Sequence, residues 1–336
     1  MKYGINLLLW TDRMHDGLMP VVEQVKAMGY DGVEMPMFEL NEALYADWGK
    51  KLDDLGLERT AVTIRGAGDN PISPSASVRA AAVDAMKKTI DCCHAAGVPM
   101  LVGPTHSAIG EFSGTGPTED EFQWGVETMQ QVAEHAAAAD VTIAVEYLNR
   151  FENYFLTSVA ETVTFVQAVD RPHVRMMYDT FHANIEEKNI PEAIRAAAPW
   201  TALVHISEND RSIPGTGHVS WQETFDTLQD VGYDGWLVVE AFGEALHGIV
   251  KPICQIGRER ALRDLPGDRI DDGCFRNRKA IAHDGHTVIL GIISIKLAFE
   301  SVFERCSNLR IRLAHKAKYC CSNAGVKRLF EHLGYP

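Results

Sequence analysis

From residue 3 to residue 242, short and wholly apolar runs alternate with longer stretches of helical spacing. "YGINLLL" (3–9) reads as a strand, and "LMPVVEQVKAMG" (18–29) has apolar residues at helical intervals with Gly29 as a stop. The alternation then repeats. "GVEMPMF" precedes "NEALYADWGKKLDDLG", "RTAVTIR" precedes "SVRAAAVDAMKKTIDCCHAAG", and "PMLVGP" precedes "EDEFQWGVETMQQVAEHAAAA". "VTIAVEY" precedes "VAETVTFVQAV", "VRMMYD" precedes "IPEAIRAAA", and "ALVHIS" precedes "WQETFDTLQDVG". "GWLVVEAF" is the eighth strand. Three helix starts carry a capping-box pair: Thr118 with Glu121, Ser158 with Glu161, and Ser220 with Glu223.

Strands that are apolar throughout are covered on both faces, which is the condition of a parallel sheet wrapped by helices. Eight such strands, the first seven each followed by a helical stretch, predict a closed (β/α)8 TIM barrel over residues 1–246. A doubly wound nucleotide-binding sheet is disfavoured. "GAGDNP" (66–71) is a lone G-x-G with no helix directly after it, so it reads as a loop.

The pattern breaks after Leu246. Residues 1–246 hold 16 Lys and Arg against 37 Asp and Glu, whereas residues 247–336 hold 16 against 9. Five of the seven cysteines also fall beyond 246. The change marks a boundary. Residues 247–265 are expected to supply an imperfect last barrel helix, interrupted by Pro252, and 266–336 to form an atypical basic, Cys-rich tail. A fused extension and a disturbed reading frame both explain that tail. Its composition, with no repeat or motif, favours the second.

The formal net charge of −14 argues against a nucleic-acid or anionic-membrane partner. The most apolar stretch, "TVILGIISIKLAFESVF", carries Lys296 and Glu300 and is not read as a membrane span. The N-terminus has no signal-peptide pattern, so a cytoplasmic protein with reduced thiols is expected.

In a barrel of this type the chemistry sits at the C-terminal strand ends. Four consecutive strands end on a polar group: Glu146 in "AVEYLNRFE", Asp179 in "MMYDTFHANIEE", His205 in "LVHISENDR" and Glu240 in "LVVEAF". A charged side chain directly after an apolar run must be paired or coordinated. Three carboxylates and one imidazole suit Mn²⁺, Co²⁺ or Mg²⁺ better than a structural zinc. Trp10 and Glu34 are read as lining the barrel mouth or core, and Phe112 as part of an apolar wall. His94 and His135 are read as packing or surface residues, and Cys92–Cys93 lacks the spacing of a zinc module.

"EYLNRFENYFLTS", "YDTFHANIEE", "HISENDRSIPGTGHVSW" and "VVEAFG" resemble the D-tagatose 3-epimerase/D-psicose (D-allulose) 3-epimerase group of xylose-isomerase-like barrels. The resemblance runs from about residue 3 to 246. It implies one divalent ion, commonly Mn²⁺ or Co²⁺, on Glu146, Asp179, His205 and Glu240. It also implies proton transfer by Glu146 and Glu240, and substrate contacts from Glu152, His182 and Arg211. The implied activity is metal-dependent epimerisation of a ketose at C3 through an enediolate. Alternatives are an aldose–ketose or hydroxypyruvate-type isomerase on the same barrel, and, from another class, a non-catalytic sugar-binding protein. A homo-oligomer, dimer or tetramer, is the expected assembly.

Overall fold

The computed structural model describes residues 1–242. The expected helix over 247–265 and the tail over 266–336 lie outside the described residues.

The described chain forms a closed barrel of eight parallel strands in sequence order. They are β1 (Lys2–Asn6), β2 (Gly32–Pro36), β3 (Glu58–Val62), β4 (Met100–Gly103), β5 (Thr142–Glu146), β6 (Val174–Asp179), β7 (Thr201–Ile206) and β8 (Trp236–Val239). β8 pairs with β1 and closes the ring. The covering helices are α1 (Met19–Ala27), α2 (Glu42–Leu55), α3 (Ala76–Ala96), α4 (Glu119–Ala138), α5 (Val159–Val169), α6 (Thr180–Glu186), α7 (Ile190–Ala197) and α8 (Trp221–Asp230).

The covering layer follows from ordinary amphipathic patterning. In α2 the buried Tyr45, Trp48 and Leu52 recur at helical intervals and face the barrel, while Asp47, Lys50 and Asp54 take the solvent side. Asn41 Oδ1 accepts from Leu44 N at 3.2 Å to start the helix, and Gly56, at φ 63°, ends it in the left-handed conformation. Removing a buried side chain such as Leu52 by substitution with alanine costs about 2–5 kcal/mol.

Inside the ring a second, smaller apolar cluster includes Val62, Val102, Ala144, Met177, Leu203, Trp236 and Val238. Residues two apart on a strand share a face. Glu146, Asp179, His205 and Glu240 therefore point inward, one layer above Ala144, Met177, Leu203 and Val238. At Gly32 there is no space for a side chain: a Cβ there would lie 2.4 Å from Glu58 O and 2.7 Å from Trp236 Cη2.

Three local expectations change. The apolar run 3–9 is not one strand. Asn6 ends β1 and caps a 3₁₀ turn over Leu7–Leu9, its Oδ1 accepting from Leu8 N at 2.9 Å. Ser220 makes no side-chain cap bond, although Thr118 and Glu121 form a full capping box. At Ser158 the hydroxyl accepts from Glu161 N, but Glu161 reaches back to Thr157 rather than to Ser158. "GAGDNP" is a loop with a 3₁₀ turn over Ala67–Asp69, as read.

Candidate active site

Asp179 and His205 are register partners across β6 and β7, and Glu240 N donates to Ile206 O at 3.0 Å. Glu146 closes β5, opposite Met177 of β6. Four neighbouring strand ends thus deliver Glu146, Asp179, His205 and Glu240 to one point. Each offers an oxygen or nitrogen, and these atoms all lie within 4.8 Å of one another. All four residues are buried. A buried cluster of three carboxylates and an imidazole cannot stand without compensating positive charge.

Part of that charge comes from the protein. Asp179 does two things: its Oδ1 caps α6 by accepting from Phe181 N at 2.7 Å, and its Oδ2 accepts from Arg211 Nη1 at 2.8 Å. The cap starts the short helix that carries His182, which stands one turn along on the same face, Nε2 lying 3.7 Å from Asp179 Oδ2 and 3.3 Å from Glu146 Oε1. Asn149 N donates to His182 Nδ1 at 3.0 Å. Arg211 sits on the loop between β7 and α8, where its φ of 60° is unusual for a residue with a side chain. Its Nη1 also donates to Ser207 Oγ and reaches Glu240 Oε2, and its guanidinium lies over the Phe181 ring at 4.0 Å. Glu152 is half-buried, its Oε1 accepting from Asn149 Nδ2 at 2.8 Å.

The two glutamates differ. Burial, reinforced by the charge of Glu240, pushes the Glu146 carboxyl up to about 7 against the hydrogen bond from His182. Burial also disfavours the charge on Glu240, but Arg211 and then His205 outweigh it and hold its carboxyl below the usual range. Glu34 and Glu240 flank the His205 ring, Glu34 at Nε2 and Glu240 beside Nδ1.

The donor set fits a divalent ion. His205 Nδ1 is buried beside Glu240, 3.5 Å from Oε2, and has no hydrogen-bond partner, while Nε2 is bound to Glu34 Oε1 at 2.8 Å. An unshared imidazole nitrogen facing three carboxylates is a ligand set for a hard or borderline cation.

The structure brings together all seven residues read from the sequence: Glu146, Glu152, Asp179, His182, His205, Arg211 and Glu240. Glu34, read as lining the barrel mouth or core, is buried beneath His205. Sequence reasoning missed the supporting bonds: Asn6 and Thr60 donate to Glu34, and Asn149 holds both His182 and Glu152. Glu208 is fully buried and accepts from Asn209 N, Gly215 N, Val219 N and Trp221 Nε1 at 2.7–3.1 Å, tying down the loop that carries Arg211. A carboxylate directly after an apolar strand was the available signal for Glu208. Outside the site, His94 bonds Ala139 O and His135 bonds Asp91, while Cys92 and Cys93 are buried thiols, all packing roles as read.

A family model for xylose isomerase-like TIM barrels matches residues 22–264. D-psicose 3-epimerase of Agrobacterium fabrum is 32% identical over 272 residues, which cover 80% of this chain and 92% of the relative. L-ribulose 3-epimerase of Mesorhizobium japonicum is 30% identical over 247 residues, covering 73% of this chain and 82% of that protein. The crystal structure of D-psicose 3-epimerase from Clostridium cellulolyticum H10 with D-tagatose superposes with a TM-score of 0.74 at 25% identity, covering 91% of this chain and all of that one. The chain belongs to the xylose isomerase-like TIM-barrel family, within its D-tagatose/D-psicose 3-epimerase group, and is an enzyme of the isomerase class. Among the described residues no helix is long and apolar enough to cross a membrane.

Proposed function

We propose that this enzyme inverts C3 of a ketose through an enediolate, with one divalent ion, Mn²⁺ or Co²⁺, held by Glu146, Asp179, His205 and Glu240; Mg²⁺ also fits the donor set. One observation carries the reading: four strand-end ligand atoms converge within 4.8 Å of one another, in a chain whose relatives are named ketose 3-epimerases. Bound there, the ion supplies Lewis-acid polarisation of a carbonyl and a positive field for enediolate charge.

The side chains supply the proton chemistry. Inversion needs a proton removed from one face of C3 and another delivered to the opposite face. Glu240 and Glu146, at the ends of β8 and β5, flank the site, so one can take the proton from C3 and the other return one to the opposite face. The reverse reaction exchanges the roles. Ligation would lower a carboxylate's basicity, and each glutamate has a second oxygen that could do this work. His182 and Arg211 hold the substrate oxygens on the carbonyl side and add positive field as charge develops. Glu152 holds a hydroxyl.

A panel of ketohexoses and ketopentoses, incubated with the Mn²⁺-loaded enzyme in D2O, tests the reading. Deuterium at C3 of an epimerised ketose is expected. An aldose product labelled at C2 would instead assign the aldose–ketose isomerase reaction, and sugar binding without exchange at any carbon would assign a non-catalytic role.

A further inference from the structure

Glu34 is a charged residue in the middle of β2, fully buried, and absent from the chemistry above. Its Oε1 accepts from His205 Nε2 at 2.8 Å and from Asn6 Nδ2 at 2.9 Å, and its Oε2 accepts from Thr60 Oγ1 at 2.8 Å. We propose that Glu34 is a positioning residue for the metal centre, which determines the ring nitrogen of His205 presented to the three carboxylates. The inference rests on the metal reading of the cluster.

The backbone fixes the direction of the Asn6 bond. Leu8 N–H donates to the capping Asn6 Oδ1 at 2.9 Å. A backbone N–H can only donate, so the Asn6 amide oxygen must face it and the amide nitrogen must face Glu34. Asn6 therefore donates to Glu34, and so does the Thr60 hydroxyl. Glu34 acts as an acceptor towards all its partners, and the His205 nitrogen that touches it must carry a hydrogen. That nitrogen is Nε2. In the neutral ring the lone pair is then on Nδ1, the atom that lies beside Glu240 with no hydrogen-bond partner. A carboxylate behind a ligating imidazole fixes its tautomer and ring orientation and raises its basicity. The same Asn6 Nδ2 stands 3.4 Å from Glu240 Oε1, so this chain of bonds reaches a second member of the ligand set from a strand that contributes none.

Two substitutions separate the charge of Glu34 from its geometry. In Glu34→Gln the amide oxygen still accepts from Asn6 and His205, and the amide nitrogen donates to Thr60 Oγ1, which as a hydroxyl can turn and accept. Every bond is kept and the charge is lost. In Glu34→Leu the volume is kept, and bonds and charge are both lost.

The test is Mn²⁺ binding to the metal-stripped full-length chain, followed by the electron paramagnetic resonance signal of free Mn²⁺, with the unfolding midpoint of the same metal-free samples measured alongside. Loss of such a partner typically weakens metal affinity about 10–100-fold. Glu34→Gln is expected to raise the Kd about tenfold with its metal-free unfolding midpoint near that of the wild type. Glu34→Leu is expected to raise the Kd about a hundredfold. If Glu34→Leu fails to fold, Glu34→Gln carries the test. A folded Glu34→Gln that binds Mn²⁺ with the wild-type Kd overturns the inference. A wild-type chain that binds no Mn²⁺ overturns the metal reading itself.

Discussion

Arg211 Nη1 donates to Asp179 Oδ2 at 2.8 Å, while Arg211 Nη2 stands 3.0 Å from His182 Nε2. One guanidinium thus spans a metal-ligand candidate and a substrate-binding candidate. His182 Nδ1 accepts from Asn149 N, so in the neutral ring Nε2 carries the hydrogen and does not accept from the guanidinium, whose favourable contacts are Asp179, Ser207, Glu240 and the Phe181 face. A lysine ammonium lacks the planar fork that lies over Phe181 while donating to those oxygens. Arg211→Lys is therefore expected to lower kcat/KM by about 10²-fold or more. Steady-state kinetics on the Mn²⁺-loaded variant checks this, and a loss below about threefold would remove Arg211 from the site.

Glu146 and Glu240 divide the proton work only if they serve opposite faces of C3. Glu146→Gln and Glu240→Gln should each abolish net epimerisation, a fall of at least about 10³-fold, more than the typical gain from one general acid or base because inversion requires both. One of the two is expected to retain exchange of the C3 hydrogen with D2O, since removal and return on a single face needs one carboxylate. A near-wild-type epimerisation rate in either variant, with metal still bound, would falsify the division of roles.

Glu208 holds the loop that carries Arg211. Its Oε1 accepts from Asn209 N and Val219 N, and its Oε2 from Gly215 N and Trp221 Nε1. Gly217 packs so close that a Cβ there would come within 2.6 Å of Glu208 Oε1. In Glu208→Gln, whichever way the amide turns, two of these N–H groups meet an NH2. Each buried donor left without an acceptor costs about 1–3 kcal/mol, so with two of them the variant is expected to lose about 2–6 kcal/mol of stability and to show a raised KM. Urea unfolding and substrate titration give both numbers. Wild-type values in both would separate this carboxylate from the loop's function.

Much of this was legible in the sequence because parallel strands announce themselves. Wholly apolar runs ending on Glu146, Asp179, His205 and Glu240 place those residues on a common rim once the barrel is recognised. What stayed hidden depends on contacts across long sequence separations or on short local competition. Glu34 and His205 are 171 positions apart, and nothing in either neighbourhood names the other. Leu7–Leu9 looks like the end of a strand, but the Asn6 side chain bonds Leu8 N and turns the chain. The α6 segment has seven residues, too few to show a helical period, and begins at the Asp179 cap.

His106 is fully buried beyond β4, with Nδ1 bonded to Ser107 Oγ at 2.8 Å, and burial pushes its pKa down to about 3 from an ordinary 6.5. The folded state keeps the ring neutral where the unfolded chain takes up a proton. The associated stability is present above pH 6.5 and is lost as pH falls towards 3. At one pKa unit per 1.36 kcal/mol the loss is about 2 kcal/mol by about pH 5. Urea midpoints of the wild type and of His106→Gln across this range check it, since the variant should lack that part of the slope.

The most direct test of the account is metal removal. The enzyme is stripped with EDTA, assayed for inversion of a ketose at C3, then reloaded with Mn²⁺ or Co²⁺ at one equivalent per chain and assayed again. No measurable C3 epimer is expected from the stripped sample, with recovery that saturates near one ion per chain. Full turnover by the stripped enzyme, with metal content verified as absent, would contradict it.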